Sequence, residues 1–272
     1  MHSDQSPPKR LTLNGRYADG FITATLFLIA LVLAEWGSQA GLISSFVLPA
    51  PSAVAVVLFE GIRDGLFIGG IASTLSSTVS GFTIAAVLAF AIGGTLVAFP
   101  RLENIFYPFI VAFQALPKIA IAPLVIIWLG LGSTSKIVIV IIVCFFPILV
   151  NTMQGLRLRE RERQELAMAL GASKWQIFRY IRLPASLPYV FAGLRVAAVF
   201  ALIGSITAEF VGSRSGLGVM LIEQKAIFNV PAVFAILLIL MVIGLLLNGL
   251  MTLGEKKLTF WAQESPNNAY EE

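Results

Sequence analysis

Six apolar runs, each long enough to cross a bilayer as a helix or close to it, constrain this chain more than any other feature. They cover about residues 21–36, 70–99, 105–131, 137–153, 189–207 and 232–253. A transmembrane helix needs about 20 mainly apolar residues. None of the runs shows the alternation of a lipid-facing strand, so helices are the only spanning structure open to them. The rest of the composition agrees. Of 272 residues, 57% are hydrophobic and 12% charged, about half the charge of a soluble domain. The sequence therefore predicts an all-α membrane protein with six transmembrane helices. The first run also has the length of a signal peptide, with Ser38-Gln39-Ala40 as a cleavage-like site. The long polar leader before it favours a retained helix.

The same counts exclude several chemistries. The one histidine, His2, lies in the polar leader, and Cys144 is the one cysteine. A Ser-His-Asp triad, a thiolate or histidine metal site and an internal disulfide all lack their parts. No catalytic or metal-binding residue is expected. No glycine is followed by lysine, so the phosphate-cradling GxxxxGK[ST] loop is absent.

Lysine and arginine set the expected orientation. With the N-terminus inside, the inner segments hold Lys9, Arg10, Arg16, Arg101, Arg157, Arg159, Arg161, Arg163, Lys174, Arg179, Arg182, Lys256 and Lys257. The outer segments hold only Arg63, Lys136, Arg214 and Lys225. Both termini should thus be cytoplasmic, with a polar tail over 1–20, a membrane domain over 21–253 and a second tail over 254–272. The net charge of +4 reflects topology and gives no reason to invoke nucleic acid. Outside the membrane, residues 53–62 read as a short outer-surface helix with Ser52 as its N-cap. In the second run, Ser73, Ser77, Gly81, Ala85, Ala89 and Gly93 recur every four residues. Such a ridge lets another helix backbone approach closely.

The segment 154–185, between the fourth and fifth runs, is different. Leu156–Leu170 reads as a helix, and Gly171 suits the left-handed position beyond a helix end. Ser173 and Gln176 stand at capping-box spacing. A second short helix should run from Lys174 to about Arg182, stopped by Pro184, with Pro188 preceding the return to the membrane. Leu166 and Leu170 lie one turn apart beside the small Ala167, a surface suited to docking in a groove of another protein.

This segment also carries a resemblance. Glu165-Leu166-Ala167, three residues, Gly171, nine residues, then Ile181-Arg182-Leu183-Pro184 resembles the EAA loop of ABC-importer permeases, with Leu166 replacing the first alanine. The likeness runs from about Leu48 to Trp261. Leu48–Ser52, Ala115–Leu124, Ala208–Gly212 and Gly216-Leu217-Gly218 are similar to the nitrate/sulfonate/taurine branch, whose members include importers of vitamin precursors. The resemblance implies a type I ABC-importer permease fold in the bacterial inner membrane. It implies two ATPase subunits that bind ATP and Mg, a second permease copy in a homodimer, and an extracytoplasmic substrate-binding protein. No cofactor is expected in this chain itself. Glu165, Leu166, Ala167, Leu170, Gly171, Ile181, Leu183 and Pro184 would form the ATPase-coupling loop.

Polar residues inside the runs are the leads to a substrate path: Lys118, with Gln114, Asn151 and Glu209. Lys118 either faces the path and attracts an anion, or lies near the inner surface if the stretch Pro108–Pro123 is bent. The alternative reading is an ion-gradient-driven secondary transporter or channel. That class should show paired internal repeats, and none is evident. A membrane enzyme would need reactive groups the spans lack.

Overall fold

A computed structural model describes residues 13–42, 44–157 and 161–260, and among them every regular element is a helix. In chain order these are α1 (Leu13–Gln39), α2 (Pro51–Arg63), α3 (Ile68–Ala98), α4 (Pro100–Ala115), α5 (Ala122–Leu129), α6 (Ser133–Arg157), α7 (Arg161–Ala169), α8 (Lys174–Ile177), α9 (Leu183–Gly212), α10 (Leu217–Ala226) and α11 (Val230–Leu258). Five stretches are long and apolar enough to cross a membrane: Phe21–Gln39, α3, α6, the continuous stretch Lys174–Gly212, and α11. The bent pair α4–α5 supplies a sixth if counted as one span. Helix α1 starts at Leu13, inside the tail read over 1–20, and its apolar stretch begins at Phe21, where the first run begins. At the other end α11 runs on to Leu258 before the expected tail, whose residues from 261 lie outside the described ones.

The chain divides into two compact bodies. In the first, which contains α1 and most of α2, helix α2 begins at Pro51. Ser52 is therefore inside the first turn and is not the N-cap. Proline suits that first position because its missing N–H would have been unpaired anyway. The Ser52 N–H and hydroxyl donate instead to the Glu35 carboxylate, at 2.9 and 2.6 Å.

In the second body, α3, α6 and α9 pack tightly. The small-residue ridge of α3 meets α6, as its spacing implies. Ser77, Gly81, Ala85, Ala89 and Gly93 are all buried. A Cβ at Gly81 would lie 2.6 Å from the Val140 side chain. Ala85 and Ala89 share a core with Val140, Cys144, Ile148, Ala197 and Ala201. At one end of this body Arg157 pairs with Glu103 and lies 4.9 Å over the Tyr107 ring, and Arg195 pairs with Glu255.

Three expectations change. The run 105–131 is no single straight span. Leu116 is extended before Pro117, a 3₁₀ turn covers Lys118–Ile121, and α4 and α5 meet at 84°. Proline disfavours the helical region for the residue before it, and Leu116 obeys that rule. Second, Pro184 does not stop the helix after Lys174. A π turn over Phe178–Arg182 joins α8 to α9, with Pro184 in the first turn of α9 and Pro188 inside it. In that wider turn the Leu183 N–H donates to the Phe178 carbonyl, five residues back, just before Pro184, which has no N–H to donate. Third, a helix, α10, fills part of the outer segment between the fifth and sixth runs, to which the sequence assigned no element.

Candidate functional site

Two clusters in the second body hold most of the residues singled out from sequence. The first is the α7–α8 elbow. Helix α7 ends in a Schellman motif, with the Ala172 N–H donating to the Ala167 carbonyl at 2.9 Å and the Gly171 N–H to Met168 at 3.0 Å. Gly171 has φ +83°, a conformation that L side chains adopt only at a cost. Ser173 then caps α8. Its hydroxyl accepts the Gln176 N–H, and its own N–H donates to the Gln176 side chain at 2.7 Å, forming the capping box the spacing predicts.

This bend brings the expected coupling residues together. Ala167, Leu170, Gly171 and Ile181 line one cavity of about 350 Å³, with Ala172, Gln176, Ile177 and Tyr180. Leu166, Leu170, Trp175 and Tyr180 are 63%, 80%, 66% and 71% exposed. The exposure of Leu166 explains why a residue larger than alanine fits there. Glu165 is exposed beside it, while Leu183 and Pro184 open α9. Trp175 stacks on Phe178, with ring centroids 5.6 Å apart. Arg182 donates twice to the Gln164 side-chain oxygen, at 2.9 and 3.3 Å, fastening α7 to the π turn. Of the flanking arginines, Arg159 lies outside the described residues.

The expected path residues do not converge. Lys118 sits in the α4–α5 break. Its Nζ donates to the Gln114 carbonyl at 3.1 Å and lies 5.5 Å from the Phe146 ring centroid. With Phe113, Leu116, Ile121, Ile141, Ile142, Phe145 and Phe146 it lines a cavity of about 320 Å³. No carboxylate pairs with it among the described residues. The Gln114 side chain is exposed. Asn151 donates to the Pro147 carbonyl one turn earlier, and its Cβ fills the space beside Gly193.

Glu209 belongs to the second cluster, which the sequence does not reveal. It is buried against Lys136, with Oε1 3.3 Å from Nζ. The sequence places Lys136 among the outer-segment cations, yet it is only 2% exposed. Lys136 also donates to the Ser73 hydroxyl at 2.7 Å and the Ser215 carbonyl at 3.0 Å. Glu209 accepts from the Thr74 hydroxyl at 2.9 Å and from the Gly218 N–H at 2.8 Å. Ser77 and Ser205 exchange a hydroxyl bond of 2.7 Å beneath them. One signal for Lys136 was present: it continues at four-residue spacing the stripe Val140, Cys144, Ile148, all buried.

Residues 81–260 match the family described as the binding-protein-dependent transport system inner membrane component. This chain belongs to that family. The permease is 38% identical to the riboflavin transport system permease protein RibX of Chloroflexus aurantiacus, over 86% of this chain and 88% of that one. It is 33% identical to the formylaminopyrimidine transport permease protein ThiX of Halalkalibacterium halodurans, over 82% and 88%. It is 28% identical to the taurine transport system permease protein TauC of Escherichia coli, over 89% and 91%. Among solved structures, the inward-facing methionine ABC transporter MetNI overlays with a TM-score of 0.63 at 20% identity, covering 72% of this chain and 98% of that one. The fold is thus that of type I ABC-importer permeases. The permease is a multi-pass bacterial inner-membrane protein, and its family implies an ATPase partner and a substrate-binding protein.

Proposed function

We propose that this chain forms half of the path of an ATP-driven importer, and that a separate ATPase drives it through the α7–α8 elbow. The observation that carries this reading is the elbow itself: a capped, glycine-bent docking surface with exposed Leu170, Trp175 and Tyr180, continuous with a membrane-crossing helix. In the assembled importer two permease copies pair as a homodimer, and two ATPase subunits bind ATP and Mg. A binding protein delivers the solute from outside. The elbow and both termini face the cytoplasm, as the arginine and lysine distribution favours.

When the ATPases close, each grips α8 and its cavity, and α8 moves with them. Arg182 and Gln164 keep α7 attached to the same rod, so the elbow tilts as one piece. Lys118, held in a broken helix against aromatic rings with no acidic partner among the described residues, is the path residue of choice. Broken membrane helices commonly line substrate sites. The solute is a small nitrate-, sulfonate- or taurine-like anion or a vitamin-precursor-type compound, a reading supported by relatives named for riboflavin, formylaminopyrimidine and taurine transport.

Co-purification tests the reading. The wild-type permease should carry an ATPase subunit with it, and Leu170→Glu should release it while the permease stays folded. An elbow that Leu170→Glu leaves fully bound would refute the docking assignment. Lys118→Met should change solute-dependent transport without changing ATPase binding; unaltered transport would remove Lys118 from the path.

A further inference from the structure

Lys136 and Glu209 lie outside the elbow, and Glu209, though one of the expected path residues, sits apart from Lys118 in a densely bonded polar cluster of the second body. Four separate stretches of chain meet there. Thr74 and Ser73 come from α3, Lys136 from α6, Glu209 from the last turn of α9, and Ser215 with the first turn of α10 from the segment that follows. The Leu217 N–H donates to the Thr74 hydroxyl at 2.9 Å, and the Gly218 N–H to Glu209. The first two N–H groups of α10 are thereby capped by side chains of α3 and α9. A carboxylate at this helix end is also favoured by the helix dipole.

The geometry admits no substitute. Gly216 has φ +138°, and a Cβ there would lie 2.1 Å from the Glu209 carboxylate. The carboxylate occupies the room this glycine leaves. Buried ion pairs are often no more stabilising than packed apolar side chains of the same volume. What they add is direction: both partners must be in place, or a charge is left buried and unpaired. A fully satisfied buried network of this kind rigidifies the elements it joins.

Glu209 lies on the same continuous stretch, Lys174–Gly212, whose opposite end is the elbow. At 1.5 Å per residue this 39-residue rod is about 58 Å long. We propose that Lys136, Glu209 and Thr74 form a lock that makes the 213–216 loop and the start of α10 move with α9, so that displacement entering at α8 arrives at α10. These are positioning residues for translocation. The inference rests on the elbow being the docking site of the ATPase.

The test needs no knowledge of the solute. The permease–ATPase complex carries Arg214→Cys, at an exposed position in the loop, and the chain's own thiol, Cys144, is buried. Labelling by a membrane-impermeant maleimide is timed without nucleotide and after trapping with ATP and vanadate. In the parent, trapping should change the labelling rate about fivefold or more. Two backgrounds follow. Lys136→Met/Glu209→Leu removes both charges together, and Thr74→Val keeps the pair but unties the Leu217 N–H. In both, the labelling rate should become the same in the two states while ATPase binding and basal hydrolysis persist. If the double variant fails to assemble, Thr74→Val decides alone. Retained nucleotide dependence in the assembled variants overturns the lock, and so does a parent loop that ignores trapping. A wild-type particle that contains no ATPase overturns the coupling reading and the lock with it.

Discussion

Replacing Gly216 by alanine isolates the energetics of the buried cluster. The added Cβ would lie 2.1 Å from the Glu209 carboxyl carbon and from Oε1. The carboxylate is the movable part of that contact, yet it cannot leave without abandoning Lys136, Thr74 and the Gly218 N–H. Two costs therefore combine. A non-glycine residue held at a positive φ such as that of Gly216 costs about 1–3 kcal/mol. A buried charge stripped of its partner costs about 3–5 kcal/mol. Gly130→Ala is the control: its φ is +79°, and a Cβ there would meet nothing within 4 Å. Equilibrium unfolding in mixed detergent micelles should show a loss of about 1–3 kcal/mol for Gly130→Ala and of about 4–8 kcal/mol for Gly216→Ala. In a Lys136→Met/Glu209→Ala background, with the carboxylate gone, Gly216→Ala should fall back to the control value. Equal losses at the two glycines, or an unchanged loss in that background, would refute the claim that the carboxylate depends on the missing side chain.

The other predictions use the same contrast between strain and contact. Gly171→Ala should weaken ATPase co-purification by about 5–30-fold through backbone strain of about 1–2 kcal/mol. Gly171→Asn should recover part of it, because asparagine tolerates the left-handed region better. Titration of tagged ATPase onto the purified permease measures both. Gly81→Ala should destabilise the bundle by about 1–3 kcal/mol, since its Cβ would meet Val140 at 2.6 Å and the Ile137 carbonyl at 3.0 Å. Gly94→Ala on the same helix, facing open space, should stabilise by about 0.5–1 kcal/mol; a melt that ranks the two the other way would contradict the close α3–α6 contact.

Local chemistry was the legible part of this chain. Gly171, Ser173 and Gln176 act within a few residues of one another, so their spacing alone specifies the bend and its cap. The α3 ridge was also readable, because a four-residue period fixes a helix face wherever the partner comes from. The pairing of Lys136 with Glu209 depends on two helices 73 residues apart in the chain, and no local pattern reports which charge will meet which. Lys136 thus looked like a solvated loop cation. The π turn was hidden for another reason. Pro184 reads as a helix stop, and no local pattern announces the wider turn by which α8 runs on into α9. The break at Pro117 was half visible: proline announced a bend but left the side that Lys118 faces unspecified.

A π turn amounts to one extra residue inserted in an α-helix. Removing a single residue from Phe178–Arg182 would let ordinary helix run through, and everything before it would swivel by about 100° about the axis of α9. The compass heading at which Trp175 and Leu170 present themselves to a docking protein is therefore encoded by one surplus amino acid. Relatives that keep the elbow's composition but lack that insertion would offer the same side chains toward a different quarter.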